Sequence, residues 1–152
     1  DTSGYEVARR AFFIGKWIRH CGWYPGYVVR LFRKSCGSFN HSRVHEGLAL
    51  SGPSARLHGE LLHFTDETLF QYFEKFNRYT TLAAEEILAR GCSFSLYDLL
   101  VRPPFLFVKM YLLRGGFLDG MHGLVLSLAS AAYVFCKYAK CWDLARAKGT
   151  PR

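Results

Sequence analysis

The sequence lacks the patterns that identify a disulfide framework or a zinc site. Its cysteines are odd in number and none forms a Cys-x-x-Cys pair: Cys21, Cys36, Cys92, Cys136 and Cys141. Such a set indicates free thiols in a reducing compartment. The histidines at positions 41, 58 and 122 show no metal-ligand spacing, so we assign no metal to them.

The sequence also lacks a long basic run, an internal repeat and a low-complexity segment. Its 152 residues nevertheless carry a net charge of +8, with a pI near 9.4. A basic protein of this size can meet nucleic acid, an anionic membrane surface or a phosphorylated substrate. Because no RNP-like, zinc-finger or helix-turn-helix pattern accompanies the charge, we expect no nucleic-acid partner.

The start of the chain has neither the apolar segment and cleavage site of a signal peptide nor an initiator methionine. It reads as the opening of a strand inside a domain, so we expect a further segment upstream of Asp1. Hydrophobic residues make up 50 % of the chain and aromatic residues 16 %, enough to build a packed core.

Segments rich in β-forming residues fill the first half. We predict strands over residues 5–14, 27–33, 43–50 and 55–63, the last two separated by a turn at residues 51–53. Residues 15–25 contain two glycines and a proline, which favour an irregular loop or a short helix. Residues 1–64 are therefore expected to form a small, mostly antiparallel β-region.

Helix signals fill the second half, so the predicted fold class is α+β. Thr65 or Asp66 is expected to cap a helix that ends near Arg90, within a helical segment of residues 65–101. The apolar stripe of this helix has a 3.6-residue period: Leu69, Phe73, Phe76, Ala83 and Ile87.

Further helices are expected after this one. Ser95 and Asp98 have the spacing of a capping box for a short helix. The proline pair at positions 103 and 104 interrupts that helix and can begin the next. Three glycines, at positions 115, 116 and 120, precede a last helix from about Met121 to Ala147.

Residues 102–152 are predicted to be amphipathic helices at a membrane interface. The uncharged run from Met121 to Cys136 is 16 residues long, shorter than the ~18–20 needed to span a bilayer. Basic and aromatic residues border the apolar segments: Arg102, Lys109, Arg114, Lys137, Tyr138, Lys140 and Trp142. This pattern favours helices lying in the interface. A buried helical hairpin in a soluble core is the alternative.

One stretch, residues 22–46, contains many side chains that can bind a ligand or transfer a proton. It reads GWYPGYVVRLFRKSCGSFNHSRVHE and combines paired arginines, clustered aromatic rings and a carboxylate beside a histidine. These groups suit the binding of a polyanionic or sugar-like ligand and the transfer of one proton.

Six segments between Gly4 and about Leu144 carry a family resemblance: GYEVARRAFFIGKWIRHCGWYP, RLFRK, VHE, LLHFTDETLFQYFEKFNRYTTLAAEE, RPPFLFVKMYLLRGGFLDG and SAAYVFCKYAKCWDL. In this order they resemble the C-terminal half of bacterial family 2 glycosyltransferases. The branch they resemble most includes the lipopolysaccharide-core glucosyltransferases that act on heptose. Several segments in family order are more specific than any single motif.

The resemblance implies a GT-A fold whose N-terminal, nucleotide-binding α/β half is missing here. The implied reaction is inverting transfer of a hexose from a nucleotide-sugar, such as a UDP-hexose, to a lipid-anchored saccharide such as lipopolysaccharide core. The family holds a divalent metal, Mg or Mn, with an Asp-x-Asp motif that these residues do not contain. We therefore expect the isolated chain to be inactive. The implied location is the cytoplasmic face of the bacterial inner membrane, with an anionic membrane surface as a peripheral partner.

The resemblance places Glu46 as the base that accepts the proton of the acceptor hydroxyl. His45 could orient Glu46, bind the acceptor or act as the base itself. The usual family pattern here has two acidic residues or a variant of them, so His-Glu leaves the assignment between the two residues open.

Two arginines are candidates for phosphate contacts. Arg30 and Arg33 lie three residues apart on a predicted strand, so they point to opposite faces. Since a guanidinium binds diphosphate through its planar fork, we assign the diphosphate to Arg30. Arg33 is left as a surface or acceptor-phosphate contact, and a solvated charge is the alternative for either.

Four residues of the preceding loop are further substrate-binding candidates. Trp23 and Tyr24 could stack on a sugar ring, or pack in the core. Arg19 and His20 could line a diphosphate or acceptor pocket, or be merely exposed.

A non-enzymatic membrane-surface protein, or an inactive remnant of a glycosyltransferase, is the competing interpretation, although it leaves residues 22–46 without a purpose.

Overall fold

The computed structural model describes residues 2–39, 47–91, 95–147 and 149, and within them six strands precede four α-helices. The strands are β1 (Gly4–Phe13), β2 (Lys16–Trp17), β3 (Gly26–Phe32), β4 (Gly37–Phe39), β5 (Leu48–Leu50) and β6 (Ser54–Asp66). The helices are α1 (Leu69–Ala89), α2 (Leu96–Leu100), α3 (Arg102–Val108) and α4 (Gly120–Ala147). The predicted α+β class, with a β-region followed by helices, is confirmed.

Strand β1 is the centre of the main sheet. It pairs antiparallel with β2 and β3, and parallel with the long strand β6. Strand β5 pairs with β4 in a separate antiparallel ladder. The turn at residues 51–53 therefore does not join a hairpin, and the sheet is less purely antiparallel than the sequence predicts.

The predicted start of α1 is wrong. Thr68 caps the helix, because its hydroxyl accepts a hydrogen bond from the backbone of Gln71 at 3.2 Å. The earlier candidates belong to the end of β6: the Thr65 hydroxyl donates to the carbonyl of Phe12 at 2.7 Å, and β6 continues to Asp66. Pairing with β1 therefore places Thr65 and Asp66 in strand β6, although their local capping preference favours the start of a helix.

The predicted apolar stripe of α1 is only partly buried. Leu69 and Phe73 are 43 % and 50 % exposed, whereas Ala83 and Ala84 are buried. Thr80 is also fully buried, and its hydroxyl donates a hydrogen bond to the carbonyl of Phe76 at 2.8 Å. The C-terminal half of α1 therefore makes the helix contact, and its partner is α4.

The later helices begin close to where the sequence predicts. The Ser95–Asp98 capping box is present, with the Ser95 N–H donating to the Asp98 carboxylate at 2.9 Å. Helix α3 has its prolines in the first turn and continues into a π-helical turn, Lys109–Leu113. A 3-10 turn, Gly116–Asp119, leads directly into α4.

Two glycines allow that turn to pack tightly against α4. A Cβ atom built on Gly123 would lie 1.9 Å from the carbonyl oxygen of Gly116. One built on Gly116 would lie 2.8 Å from Cys21 Sγ. The turn, the first part of α4 and the residues before β3 therefore meet at a point with no room for side chains.

The principal core cluster joins the sheet to the helices. It consists of five buried residues: Phe13, Ile18, Cys21, Met110 and Leu126. One helical stretch, Gly116–Ala147, is apolar and long enough to cross a membrane by length and composition alone, with a mean hydropathy of 1.3 and 33 % of its most apolar part buried. Because core helices pass the same test, this stretch is compatible with either predicted setting of residues 102–152.

Candidate functional site

A buried carboxylate fixes the 18–25 loop, the segment between β2 and β3. The Asp119 side chain is 4 % exposed. It accepts hydrogen bonds from the backbone N–H of Arg19 at 3.3 Å and of His20 at 2.8 Å. Lys16 Nζ donates to the backbone carbonyl of Asp119 at 2.8 Å. The shape of the loop thus depends on the turn that precedes α4.

The same carboxylate orients the ring of His20. Nδ1 of His20 lies 3.1 Å from Asp119 Oδ1, and the side chain of His20 is 36 % exposed. Because an ionised carboxylate only accepts, Nδ1 is the donor and Nε2 is left for another partner. Arg19 makes a different contact, since its guanidinium lies over the ring of Trp17 at 4.3 Å.

The two aromatic candidates of the loop lie on opposite sides of the sheet. Trp23 packs edge-on against Phe13, with ring centroids 6.2 Å apart. The Tyr24 hydroxyl donates to Glu60 at 2.6 Å, and Glu60 is ion-paired to Arg10. Since Arg10 and Phe13 are three residues apart on β1, their side chains point to opposite faces. Only Trp23 therefore lies on the helix-facing side.

A cavity of about 450 Å³ opens beside Trp23. It lies between the 18–25 loop, α1, α4 and the segment from α3 through its π-helical turn. Its lining includes three aromatic residues, two cations and a serine: Trp23, Tyr72, Tyr133, Lys109, Arg114 and Ser130. Aromatic faces combined with hydrogen-bond donors suit a sugar-sized polar ligand.

The two cations of the cavity have no acidic partner among the described residues. Lys109 and Arg114 are both exposed and form no ion pair there. The Arg114 side chain packs over Gly22, where an added Cβ would lie 2.7 Å from Nη1. By contrast, Arg102 on α3 lies 2.7 Å from the Asp98 carboxylate. The positive charge of the cavity is thus available to an anion.

The neutral groups of the cavity are protonated donors near neutral pH. Burial, then the Asp66 carboxylate and Tyr133, raise the pKa of Tyr72 to about 12. Burial likewise raises the pKa of the Cys21 thiol. Within the described residues, neither the Tyr72 hydroxyl nor that of Ser130 has a hydrogen-bond partner, so both can serve a ligand.

Arg30, Arg9 and Lys75 form a basic cluster around His63, because the charges of all three act on its side chain. Burial, followed by the nearby charges of Arg9, Arg30 and Lys75, lowers the pKa of His63. Nε of Arg9 is buried and has no hydrogen-bond partner among the described residues. Arg33 follows the last residue of β3 and is exposed. The structure thus groups Arg30 with Arg9, a residue that the sequence analysis missed.

The predicted catalytic pair, His45 and Glu46, lies outside the described residues. Within the described ranges, no three His, Cys, Asp or Glu side chains are grouped as metal ligands. This part of the chain therefore does not fit the divalent cation that the resemblance implies.

Several residues of the site were not singled out as functional from the sequence, among them Arg9, Lys109, Arg114 and Asp119. Lys109 and Arg114 were interpreted only as the borders of membrane-interface helices. Asp119 had a usable signal, because a lone acid in an apolar stretch between glycines must find buried donors. Arg9 had none, since alternating strand residues give no indication of which arginine stays unpaired.

The chain is similar to curated glycosyltransferases. It is 31 % identical to the lipopolysaccharide core biosynthesis glycosyltransferase LpsC of Rhizobium meliloti, over 99 % of this chain and 57 % of that protein. It is 26 % identical to uncharacterized glycosyltransferases of Rickettsia typhi and Rickettsia prowazekii, over 76 % of this chain and 43 % of each relative.

The chain spans about half the length of these relatives. No protein-family model matches it, and no solved structure matches it. The resemblance found in the sequence is confirmed by the curated relatives: over almost its whole length, the chain is related to part of the bacterial glycosyltransferases that include an enzyme of lipopolysaccharide core biosynthesis.

Proposed function

We propose that the chain is the acceptor-side part of an inverting, family 2 glycosyltransferase with a GT-A fold. It would move a hexose from a nucleotide-sugar, such as a UDP-hexose, to a lipid-anchored saccharide such as lipopolysaccharide core. The similarity to LpsC along 99 % of the chain is the observation that carries this proposal. A cavity lined by aromatic rings and hydrogen-bond donors agrees with a saccharide substrate.

In the proposed reaction, the acceptor hydroxyl oxygen bonds to the anomeric carbon as the bond from that carbon to the diphosphate breaks. The hydroxyl proton passes to a base, and the nucleoside diphosphate leaves with the electron pair. Glu46 is the proposed base, with His45 as its orienting neighbour or the alternative base. Mg²⁺ or Mn²⁺ would be held by an Asp-x-Asp motif, which this sequence does not contain, and no three described Asp, Glu, His or Cys side chains are grouped to replace it.

Two arginines would stabilise the leaving group from the sheet. Arg30 was assigned to the diphosphate from its sequence context, and Arg9 lies in the same basic cluster. A guanidinium binds phosphate oxygens through two parallel N–H donors, so a buried and unpartnered Arg9 Nε supports this assignment. Trp23 would present its ring to the sugar in the neighbouring cavity.

The test is turnover of the full-length protein that carries this sequence. Glu46→Gln should lower turnover by about 10²–10⁴-fold and leave donor affinity unchanged, because only proton transfer is lost. His45→Gln separates the two candidates, and Glu85→Gln on the exposed side of α1 is the matched control. Near-normal turnover of Glu46→Gln would remove it as the base, and absence of transfer in the unaltered protein would overturn the proposed activity.

We further propose that the segment from α3 to the start of α4 docks on an anionic membrane surface. Large apolar side chains are 50–74 % exposed there: Phe105, Leu112, Leu113, Phe117, Leu118 and Met121. Basic side chains lie in the same segment, at Arg102, Lys109 and Arg114. Apolar insertion combined with attraction to anionic headgroups is how interfacial helices bind. The proposed location is the cytoplasmic face of the inner membrane.

Vesicle sedimentation tests this docking. Deleting residues 104–152 would also remove the core residues Met110 and Leu126, so substitutions are the better probe. Leu113→Glu with Leu118→Glu should release the protein from vesicles containing anionic lipid. Ala89→Glu, at an exposed position of α1, serves as the charge control. Unchanged sedimentation would refute the docking, whereas binding without any transfer activity would favour a non-enzymatic membrane-surface protein.

A further inference from the structure

The cavity beside Trp23 is lined by basic side chains without acidic neighbours among the described residues. Among the described residues, its lining contains Lys109 and Arg114 but no aspartate or glutamate. By contrast, three other described cations, Arg10, Lys75 and Arg102, each lie no more than 2.9 Å from a carboxylate oxygen. A cavity that holds two unpaired cations is electrostatically complementary to an anion.

The remaining lining groups indicate what else the ligand contains. Tyr72 and Ser130 offer hydroxyl donors, while Trp23 and Tyr133 offer aromatic surface. The volume of about 450 Å³ lies within the range of small-molecule sites, roughly 300–1,000 Å³. A ligand with an apolar C–H face, several hydroxyls and a negative charge would use all of these groups.

The position of the cavity indicates which substrate supplies this ligand. Its wall includes Lys109, Met110 and Arg114, which belong to or adjoin the π-helical turn after α3. The outer residues of that turn, Leu112 and Leu113, are among the exposed apolar side chains. A substrate anchored in lipid would therefore meet the cavity and the apolar surface together.

We propose that this cavity binds a phosphorylated sugar unit of the lipid-anchored acceptor, with Arg114 and Lys109 as its specificity determinants. This assignment rests on the proposed transferase function and adds the chemical class of the acceptor. Arg114 would hold the phosphate through its planar fork, and Lys109 would act as a second, flexible charge. Tyr72 and Ser130 would donate to sugar or phosphate oxygens.

Calorimetric titration of the full chain with three probes tests the proposal directly. The probes are glucose 6-phosphate, methyl glucoside and inorganic phosphate. We expect glucose 6-phosphate to bind at least tenfold more tightly than either of the others, because it alone engages both the cations and the aromatic surface. Equal affinity for all three probes, or inorganic phosphate binding as tightly as the sugar phosphate, would overturn the proposal.

Charge-removing variants place the binding in the cavity. The double variant Arg114→Gln with Lys109→Gln should abolish the preference for the phosphorylated sugar. Lys109→Gln alone should reduce it, which keeps the test valid if the double variant melts early. Arg146→Gln removes the same charge near the end of α4, where its neighbour is Asp143, and should leave the titration unchanged. A preference that survives the double variant would contradict the assignment.

A transfer assay separates this proposal from the function on which it rests. With the full-length protein, Arg114→Gln should raise KM at least tenfold for a phosphorylated acceptor. KM for the same acceptor after phosphatase treatment should not change. Transfer with no phosphate dependence would reject the cavity assignment and keep the transferase. Absence of all transfer in the unaltered protein would reject the proposed transferase function. The calorimetric titration would then test ligand binding in the cavity independently of that function.

Discussion

Two basic side chains on the helical side of the molecule have opposite surroundings. Lys140 Nζ, on α4, lies within hydrogen-bond distance of four oxygens: the carbonyl and side-chain oxygens of Asn77 at 2.8 and 2.7 Å, and the hydroxyls of Thr80 and Thr81 at 2.9 and 2.8 Å. Arg114 lines a cavity and has no such acceptors among the described residues. The Lys140 region is satisfied by its own fold, whereas the Arg114 region retains binding capacity for something else.

The same contrast applies to the loop that carries the candidate aromatic residues. Asp119 is enclosed by donors from Arg19 and His20, so its hydrogen bonds are internal to the fold. The charges of Arg9 and Arg30 both act on His63, and neither arginine forms an ion pair among the described residues. Enclosed polar groups should therefore affect stability when they are removed, and open ones should affect ligand binding.

The largest stability effect is expected at Asp119. Asp119→Ala leaves the backbone donors of Arg19 and His20 without an acceptor in a buried site, so unfolding free energy should fall by about 3 kcal/mol. Urea unfolding measures this. Asp143→Ala, a side chain 64 % exposed on α4, is the matched control and should change little. Equal losses of unfolding free energy in the two variants would show that the hydrogen bonds of the Asp119 carboxylate do not stabilise the fold.

A smaller loss is expected at Lys140. Lys140→Met keeps the aliphatic stem but leaves the oxygens of Asn77 and Thr81 without a shared donor, which should cost about 1–2 kcal/mol. Lys109→Met removes the same group from the cavity and should be nearly neutral in urea unfolding. If Lys109→Met were the more destabilising of the two, the distinction between enclosed and open cations would be wrong.

A pH-dependent effect is expected at His63. Its pKa is lowered by burial and by the charges of Arg9, Arg30 and Lys75, opposed by Asp66, so the folded state binds the proton less well than the unfolded state. Its contribution to stability is complete above the ordinary pKa of about 6.5 and is lost as pH falls through the lowered value. His63→Gln should flatten the decline between pH 7 and pH 5.

The comparison for that experiment is an exposed histidine of the same strand. His58→Gln replaces this exposed histidine and is the matched control for the substitution. A slope that responds equally to both substitutions would mean that the neighbouring charges do not act on His63.

The smallest effect on stability is expected at Arg114. Arg114→Gln should change unfolding free energy by less than about 0.5 kcal/mol, because the guanidinium is exposed and forms no described ion pair. Thermal and urea unfolding check this alongside the sugar-phosphate titration. A loss above about 1 kcal/mol would assign Arg114 a structural role instead.

Local signals in the sequence predicted the helices better than the sheet. The Ser95–Asp98 capping box and the start of α4 depend on neighbouring residues, and both are found where expected. The parallel pairing of β6 with β1 depends on residues far apart in the sequence. That pairing also explains the misplaced start of α1, since it extends β6 through Thr65.

The candidate site shows the same division. The sequence singled out Trp23, and the structure places it at a cavity. The sequence alone could not assign a role to Arg114 or Tyr72, because these residues approach the 18–25 loop only after α1 and the turn beyond α3 fold against it. His45 and Glu46 remain predictions.

The glycine contact beneath the loop bears on how tolerant the protein is of mutation. Side chains have no room at Gly116 or Gly123, and the turn between them positions Asp119. A deep mutational scan should therefore find both glycines as intolerant as a reactive side chain, although neither meets a substrate. Intolerance at these positions would report the assembly of the site, and an alignment of many relatives would invite the mistaken assignment of a chemical role to them.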